Sequence, residues 1–253
     1  MKKIKIKNLL KKAHELRIAT LNQFIKKKEA HLGGAFSIIE TLVLLYECIL
    51  EKNDKFILSK SHASYPLCII LKQINKKIKI TTHLEIDTKN GIHCTTGSLG
   101  HGLPIAAGMA FSKKIQKKPG NIFVMMSDGE CQEGTTWETL LITNKHKLQN
   151  LKIIIDYNKI QALDYLKDVL PLVSLKKKLQ AFNIKVINIK NAHSFIDLIK
   201  GFQVAIKSRK PTAIILNTIK GKGIKEFENN PIWHARKLGR HEIKIAKKRL
   251  GII

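Results

Sequence analysis

Residues 121–128 (NIFVMMSD) and 151–158 (LKIIIDYN) decide the fold, because each is a nearly continuous apolar run that ends in polar residues. A strand that is apolar on both faces is typical of a parallel sheet covered by helices on both sides. A helical pattern fills residues 133–147 between the two runs, as a crossover between parallel strands requires. These stretches predict an α/β fold with a doubly wound, mostly parallel sheet.

The same alternation continues on both sides of this central unit. Apolar periodicity and turn residues predict helices at 8–28, 37–50, 63–74, 101–118, 171–181 and 194–207, and strands at 56–59, 184–189 and 211–217. Ser37 followed by Glu40 predicts a capping box at the start of the second helix. Because no repeat or linker interrupts the pattern, we expect one domain over residues 1–253, with ligands beyond the carboxyl ends of the strands.

The most conspicuous compositional feature is a net charge of +27, from 46 basic and 19 acidic residues. The lysines lie in short runs along the whole chain, and aromatic residues make up only 6% of it. Sites for single-stranded nucleic acid combine a basic groove with interleaved aromatics, which this sequence lacks. We therefore interpret most lysines as solvated helix faces and expect no specific nucleic-acid partner. A non-catalytic protein that binds phosphate groups or RNA is the alternative that the charge leaves open.

Cysteines and apolar runs argue against several other classes. The four cysteines (Cys48, Cys68, Cys94 and Cys131) form no C-x-x-C pair, so neither a zinc site nor a disulfide framework is predicted. No apolar run is long enough to cross a bilayer, so we expect no membrane association. The start at residues 1–7 is basic but lacks the apolar segment of a secretory signal. We therefore expect a cytoplasmic location.

Polar residues follow both central strands. Asp128 and Gly129 follow the first, and Asn158 follows the second. In a parallel sheet these positions share one edge, where the free N–H groups of a helix start attract a diphosphate. Mg²⁺ prefers oxygen ligands, which carboxylates and amides supply. An Asp helix cap and an Asn turn would explain either position alone, but the pair predicts a magnesium and diphosphate site.

This pair resembles the thiamine-diphosphate motif, and its surroundings resemble the transketolase family. Residues 133–138 (EGTTWE) and 158–161 (NKIQ) carry that family's version of the motif. Segments that resemble further family signatures follow the expected order at residues 31–37 (HLGGAFS), 56–63 (FILSKSHA), 96–103 (TGSLGHGL), 220–223 (KGKG) and 233–234 (WH). The likeness covers almost the whole chain and implies thiamine diphosphate and Mg²⁺ as cofactors.

The resemblance implies roles for individual residues. Asp128, Asn158 and the carbonyl of Ile160 are the expected Mg²⁺ ligands. The expected contacts of thiamine diphosphate are Lys60, His62, Gly97, Ser98, Leu99, Gly129, Glu130, Asn158, Lys220 and His234. A solvated surface position is the alternative for both lysines. The expected catalytic histidines are His31, His62, His83 and His234. Proton transfer is assigned to His234 and His31, because a histidine with a pKa near neutrality suits it.

Four positions depart from the family's pattern. The departures are Ser127 and Ser61 in place of glycine, Asn191-Ala192 in place of Asp-Gly, and Ala235 in place of glycine. Each added side chain restricts the backbone. None removes a metal ligand or a proton-handling group, so we expect the chemistry to be kept. A decayed, inactive subunit is the alternative that these positions leave open.

In the transketolase family, a glutamate from a second domain activates the aminopyrimidine ring. No segment of residues 1–253 resembles that domain, so we expect a partner to supply it. The resemblance therefore implies the amino-terminal subunit of a split transketolase, in a heterotetramer with a partner that carries the pyrimidine-binding domain. The implied reaction moves a two-carbon ketol unit from a ketose phosphate to an aldose phosphate. The alternatives are a dehydrogenase alpha subunit and half of a 1-deoxy-xylulose-phosphate synthase, and residues 133–138 and 233–234 argue against both.

Overall fold

A five-stranded parallel sheet forms the centre of the computed structural model, which describes residues 5–74 and 76–253. The strands are β1 (Lys55–Leu58), β2 (Ile122–Ser127), β3 (Leu151–Tyr157), β4 (Lys185–Ile189) and β5 (Thr212–Asn217), in the order β1-β2-β3-β5-β4. All four neighbouring pairs are parallel, which confirms the predicted α/β class. The first half of the basic start, residues 1–4, lies outside the described residues.

Helices cover both faces of the sheet. They are α1 (Ile6–Lys27), α2 (Leu32–Phe36), α3 (Ile39–Leu44), α4 (Tyr65–Gln73), α5 (Gly102–Ile115), α6 (Gly134–Lys145), α7 (Leu166–Val169), α8 (Leu175–Ala181), α9 (Phe195–Ile206) and α10 (Arg240–Arg249). A π-helical turn (Leu45–Ile49) follows α3, and 3₁₀ turns lie at Ser61–Ala63, Thr88–Asn90, Gly129–Gln132 and Pro231–His234. Within the described ranges, no helix is long and apolar enough to cross a membrane.

Two apolar layers, one on each face of the sheet, account for the continuous apolar strands. Along β2, Phe123 and Met125 pack into the layer beneath α1 to α4, α9 and α10. Ile122, Val124 and Met126 alternate with them and pack into the layer beneath α5, α6 and α8. Because both faces of the strand are buried, both must be apolar, and the period-two alternation of a half-exposed strand is absent.

A crevice opens at the carboxyl ends of β3 and β5. The chain that follows β3 contributes Leu166 and Leu175 to the layer on the α8 side. The chain that follows β5 contributes Ile224 and Phe227 to the opposite layer. Neighbouring strands whose connections leave toward opposite faces create the cleft in which open α/β sheets bind ligands.

The predicted helix at 37–50 is divided, and its predicted capping box is wrong. Helix α3 begins only at Ile39, and no side chain caps it. The Ser37 hydroxyl instead donates to the Asp156 carboxylate at 2.7 Å and lies 2.9 Å from the Gly34 carbonyl. Glu40 pairs with Arg17 at 2.6 Å. Both polar side chains therefore serve long-range contacts, which a local capping pattern does not reveal.

Candidate active site

The crevice contains a cavity of about 220 Å³ at the carboxyl edge of the sheet. Its lining includes the predicted site residues His31, Lys60, His62, His83, Gly97, Leu99, Asp128, Gly129, Asn158, Ile160, Lys220 and His234. Ser127, Gln161 and Ala162, which the sequence pattern did not assign to the site, also line it. Two predicted residues, Ser98 and Glu130, are not part of this lining. The fold thus gathers one set of residues from separated segments of the chain.

Asp156 is the electrostatic centre beneath the cavity, although the sequence pattern gave it no role of its own. Its buried carboxylate accepts hydrogen bonds from Ser37 at 2.7 Å and Asn158 at 2.9 Å, and also from Lys60 and Thr218. Burial alone would raise the pKa of the Asp156 carboxyl, but the Lys60 charge and these hydrogen bonds outweigh it and lower the pKa. Asp156 therefore stays ionised and fixes the side chains around it.

Asp128 is a second buried carboxylate at the same edge. One oxygen accepts a hydrogen bond from the Gly129 N–H at 2.9 Å, and the other from the Lys159 N–H at 2.6 Å. Burial, and then the negative charge of Asp156, raises the pKa of Asp128 to about 7. Lys60 pairs with Asp156 rather than with Asp128. The Asp128 carboxylate therefore lies in a position where a bound cation would stabilise its charged form.

Asn158 and Ile160 supply further oxygens beside Asp128. The Asn158 side-chain oxygen accepts a hydrogen bond from the Ile160 N–H at 3.1 Å. The Ile160 carbonyl accepts one from the Lys220 ammonium at 3.0 Å, so a positive group already lies against it. A carboxylate, an amide oxygen and a carbonyl form an all-oxygen donor set, which suits Mg²⁺ rather than Zn²⁺. The residues present therefore fit the metal that the sequence predicted.

Lys60 and Lys220 are not solvated surface lysines, so that alternative is wrong. Each side chain is only about 1% exposed. Burial, and then the charge of Lys60, lowers the pKa of Lys220 to about 8. Two buried ammonium groups beside a cavity are costly unless anions neutralise them. Asp156 neutralises one of them, and a diphosphate in the cavity would supply further negative charge.

Three imidazole rings form a compact group on one wall of the cavity. The ring centroids of His31, His62 and His234 lie 5.3–5.5 Å apart. His31 Nδ1 donates to the His234 carbonyl at 2.6 Å, which leaves its Nε2 unprotonated. The Lys220 ammonium donates to His234 Nδ1 at 2.8 Å, so the proton of that neutral ring is on Nε2. The two rings therefore present different groups: His31 has an unprotonated Nε2, and His234 has an Nε2–H.

The expectation of histidine pKa values near neutrality is corrected by the structure. Burial, and then the charge of Lys220, lowers the pKa of His234 to about 3. Burial, and then the charge of Lys60, holds the pKa of His62 well below its ordinary value. Burial also lowers the pKa of His31. Because desolvation and nearby ammonium groups both disfavour the imidazolium form, all three rings are neutral at pH 7.

The loop at residues 97–100 closes the cavity, and Glu130 holds it in place. The buried Glu130 carboxylate accepts hydrogen bonds from the Gly100 N–H at 3.2 Å and the Ser127 N–H at 2.8 Å. Gly97 has φ = +148°, and a Cβ there would lie 3.1 Å from the His83 ring. Ser98 is exposed. Glu130 thus positions the loop from behind, while Gly97 permits close approach to His83.

Both serines that stand in place of glycine, Ser61 and Ser127, make hydrogen bonds of their own. The Ser61 hydroxyl accepts a hydrogen bond from the Leu84 N–H at 2.7 Å, which ties the His83 segment to the turn after β1. The Ser127 hydroxyl accepts one from the Glu130 N–H at 3.3 Å. Both serines therefore strengthen the scaffold of the site.

A buried polar network supports the segment that carries Lys220. Glu40 accepts hydrogen bonds from Arg17 at 2.6 Å and from His193 Nδ1 at 3.0 Å. The other nitrogen of His193 accepts a hydrogen bond from the Ile219 N–H at 2.8 Å. His193 therefore has a fixed tautomer, with its proton on Nδ1. Since Ile219 immediately precedes Lys220, the network fixes the backbone from which that lysine enters the site.

Comparisons with known proteins agree with this geometry. The family model of the transketolase thiamine-diphosphate-binding domain matches residues 10–253. The 6-deoxy-6-sulfo-D-fructose transketolase subunit of Clostridium sp. (strain MSTE9) is 31% identical and covers 91% of this chain and 92% of its own. An apulose-4-phosphate transketolase subunit of Phocaeicola vulgatus is 32% identical, over 83% of this chain and 82% of its own.

Solved structures show the same relationship. The transketolase of Campylobacter jejuni superposes with a TM-score of 0.87 at 28% identity, over 98% of this chain. The match spans 43% of that chain, so the protein corresponds to less than half of a full-length transketolase. The family match over nearly the whole sequence, together with the motif residues gathered around one cavity, shows that this chain belongs to the transketolase family, as its thiamine-diphosphate-binding domain.

Proposed function

We propose that this chain is the cofactor-binding subunit of a two-subunit transketolase that moves a two-carbon ketol unit from a ketose phosphate to an aldose phosphate. The single observation that carries the proposal is the one cavity that His31, His62 and His234 line together with the oxygen-bearing residues Asp128, Asn158 and Ile160. We further propose that residues 1–253 form one cofactor-binding domain, which the family match over residues 10–253 supports.

The proposed cofactor site has a metal part and a diphosphate part. Asp128, Asn158 and the Ile160 carbonyl would hold Mg²⁺, and the Lys60 and Lys220 ammonium groups would neutralise a diphosphate. The other residues proposed to contact or enclose the cofactor are His62, Gly97, Ser98, Leu99, Gly129, Glu130 and His234. Thiamine diphosphate, when bound, supplies the electron sink for breaking the ketose carbon–carbon bond.

Proton handling falls to the histidines. His31 presents an unprotonated Nε2 and is the proposed acceptor of the proton from the donor sugar's C3 hydroxyl. His234 presents an Nε2–H and is the proposed hydrogen-bond donor to a sugar oxygen. His62 and His83 are the proposed residues that orient the two-carbon fragment. Neutral imidazoles suit all these tasks, because each ring offers one donor and one acceptor.

A partner subunit with a pyrimidine-binding domain is the second part of the proposal. The curated relatives of similar length are named as transketolase subunits, which supports a divided enzyme here. A heterotetramer of two chains of each kind is the proposed assembly. Leu141 and Ile142 on α6 are 61% and 53% exposed, and such apolar side chains suit a subunit contact. Glu133 and Glu138, at the start of the same helix, resemble carboxylates that the family places near this interface.

The proposal is tested with the purified chain and its candidate partner. Each protein alone, and the two together, are supplied with thiamine diphosphate, Mg²⁺, a panel of ketose phosphate donors and an aldose phosphate acceptor. We expect two-carbon transfer only in the mixture. Robust transfer by this chain alone would refute the divided enzyme, and no transfer by the mixture with any donor would refute the transketolase activity.

A further inference from the structure

A second cavity lies at the opposite edge of the sheet from the candidate active site. It has a volume of about 1090 Å³, and its lining includes Lys55 and Ile122, the first residues of β1 and β2. The active-site cavity lies at the other ends of these strands. Ligands of small-molecule size occupy pockets of roughly 300–1,000 Å³. The amino-edge cavity, as we call it, is therefore large enough for a metabolite of considerable size.

The rim of the amino-edge cavity is strongly basic. Its lysines are Lys52, Lys55, Lys76, Lys89, Lys113 and Lys118. The two acidic residues of the lining are Glu51 and Asp54, and both Asp54 oxygens already accept backbone N–H groups. None of the six lysines takes part in an ion pair within residues 5–74 and 76–253. Six lysines against two carboxylates leave an excess of four positive charges in the lining of the cavity.

Burial and the clustered lysine charges lower the pKa values of two groups in the cavity lining. Burial, and then the charges of Lys55 and Lys113, lowers the pKa of His93, which also lines the cavity, to about 4. Burial, and then the Lys55 charge, lowers the pKa of Lys113. Like charges that shift one another's titration lie close enough to act together on a bound anion.

The floor of the cavity is apolar and partly aromatic. Tyr46 and Phe56 meet edge to face with their ring centroids 6.0 Å apart, and both line the cavity. Phe56 and Ile122 lie beneath the surface, 4% and 0% exposed, so the accessible apolar floor is formed by Tyr46 and Met109, which are half-buried, and by Ile105, which is exposed. An apolar floor with a polar rim is the usual construction of a small-molecule site, in which the floor takes the uncharged part of a ligand.

We propose that the amino-edge cavity binds a small organic anion with several phosphate charges, its apolar or aromatic part on the floor and its phosphates on the lysine rim. The finite volume and the aromatic floor favour a small molecule over an extended nucleic acid, whose backbone would need a basic track along the surface. The inference does not depend on the proposed reaction, because no residue of the active-site cavity takes part in it.

The test uses ATP as the probe, with the full chain at physiological ionic strength and without Mg²⁺. Binding is measured by isothermal titration calorimetry for the parent protein and for the double variant Lys55→Gln/Lys118→Gln. Lys113 is kept, because its ammonium donates to the Pro119 carbonyl at 2.7 Å. A unit charge about 4 Å from a phosphate contributes roughly a fivefold factor in water. We therefore expect ATP binding to weaken by about tenfold or more.

A matched control separates a defined site from general attraction by net charge. The variant Lys176→Gln/Lys177→Gln removes the same charge from exposed positions on α8, outside the cavity lining. We expect its affinity for ATP to stay within about twofold of the parent value. Equal weakening in both double variants would overturn the proposal, because it would show that ATP responds only to the overall charge.

A second variant narrows the cavity without removing any charge. Gly108 lines it, and a Cβ at this position would meet no atom within 4 Å. Replacing glycine inside a helix also favours folding. We therefore expect Gly108→Leu to fold and to weaken ATP binding by taking up part of the space, with Gly108→Ala closer to the parent. Unchanged ATP affinity in Gly108→Leu would overturn the proposal. Binding of long RNA without binding of ATP would also overturn it.

Discussion

Replacing Glu40 with glutamine should destabilise the chain by about 3 kcal/mol at pH 7. Burial alone would raise the pKa of Glu40, but the hydrogen bond from His193 and the charge of Arg17 outweigh it and lower the pKa to about 2, against an ordinary value of 4.5. At about 1.4 kcal/mol for each unit, this difference corresponds to about 3 kcal/mol. Loss of one partner from a buried ion pair costs about 3–5 kcal/mol, a consistent range.

The hydrogen-bond pattern explains why glutamine is not a neutral replacement. If the new amide nitrogen faces His193 Nδ1, the imidazole proton must move to Nε2. In the parent protein Nε2 accepts a hydrogen bond from the Ile219 N–H, so in the variant two donors would face each other there. If the amide nitrogen faces Arg17 instead, two donors oppose each other. Either orientation leaves a buried donor without an acceptor.

The assay is urea unfolding followed by circular dichroism across a series of pH values. Because the folded-state pKa of Glu40 is lowered, its contribution is fully present above pH 4.5 and is lost as the pH falls toward 2. The difference in unfolding free energy between parent and variant should therefore fall at pH 3 to about half of its value at pH 7. At pH 7 the melting temperature should drop by about 6–12 °C.

Glu47→Gln is the matched control, since Glu47 pairs with Lys12 at 2.6 Å but is 29% exposed. An exposed pair of this kind contributes about 0–1 kcal/mol. Two results would refute the reasoning. One is a Glu40→Gln variant that is as stable as this control at pH 7, and the other is a difference in unfolding free energy between parent and Glu40→Gln that stays the same as the pH falls to 3.

Three further outcomes are expected. Asp128→Ala should abolish magnesium-dependent binding of thiamine diphosphate in calorimetry, and unchanged cofactor affinity would remove Asp128 from the metal site. Gly33→Ala should lower the free energy of unfolding by about 1–3 kcal/mol and weaken cofactor binding, because the added Cβ would lie 2.7 Å from the Trp233 carbonyl and 3.0 Å from Lys220 Cγ. A melting temperature equal to that of the parent protein would contradict this. Binding to DNA or RNA should be weak and should fall steeply with salt, and tight sequence-selective binding at physiological ionic strength would contradict that view.

The elements of the sheet were predictable because their signal is local. A strand buried on both faces must be apolar along its length, so β2 and β3 were visible as runs of letters. The division of the helix at 37–50 was not predictable in this way. The Ser37 hydroxyl could have capped the helix, but the Asp156 carboxylate lies 2.7 Å away, and a charged acceptor makes the stronger hydrogen bond.

The sequence predicted which residues line the candidate site better than it predicted their charges and pKa values. Asp128, Asn158 and the histidines carry a pattern that is visible in the sequence, and they meet around one cavity. Asp156 was not predicted, although it lies only two residues before Asn158. Its importance comes from Lys60 and Thr218, which reach it from 96 and 62 residues away.

The strands, the family and most of the residues that line the candidate cavity are visible in the amino-acid sequence. The burial of Lys60 and Lys220, the neutrality of three imidazoles and the cavity that dispersed lysines share at the amino edge follow only from the folded arrangement. The physical reason is that apolar periodicity and motif spacing are properties of neighbouring residues. Desolvation and Coulomb interactions depend on distances between segments, and folding alone sets those distances.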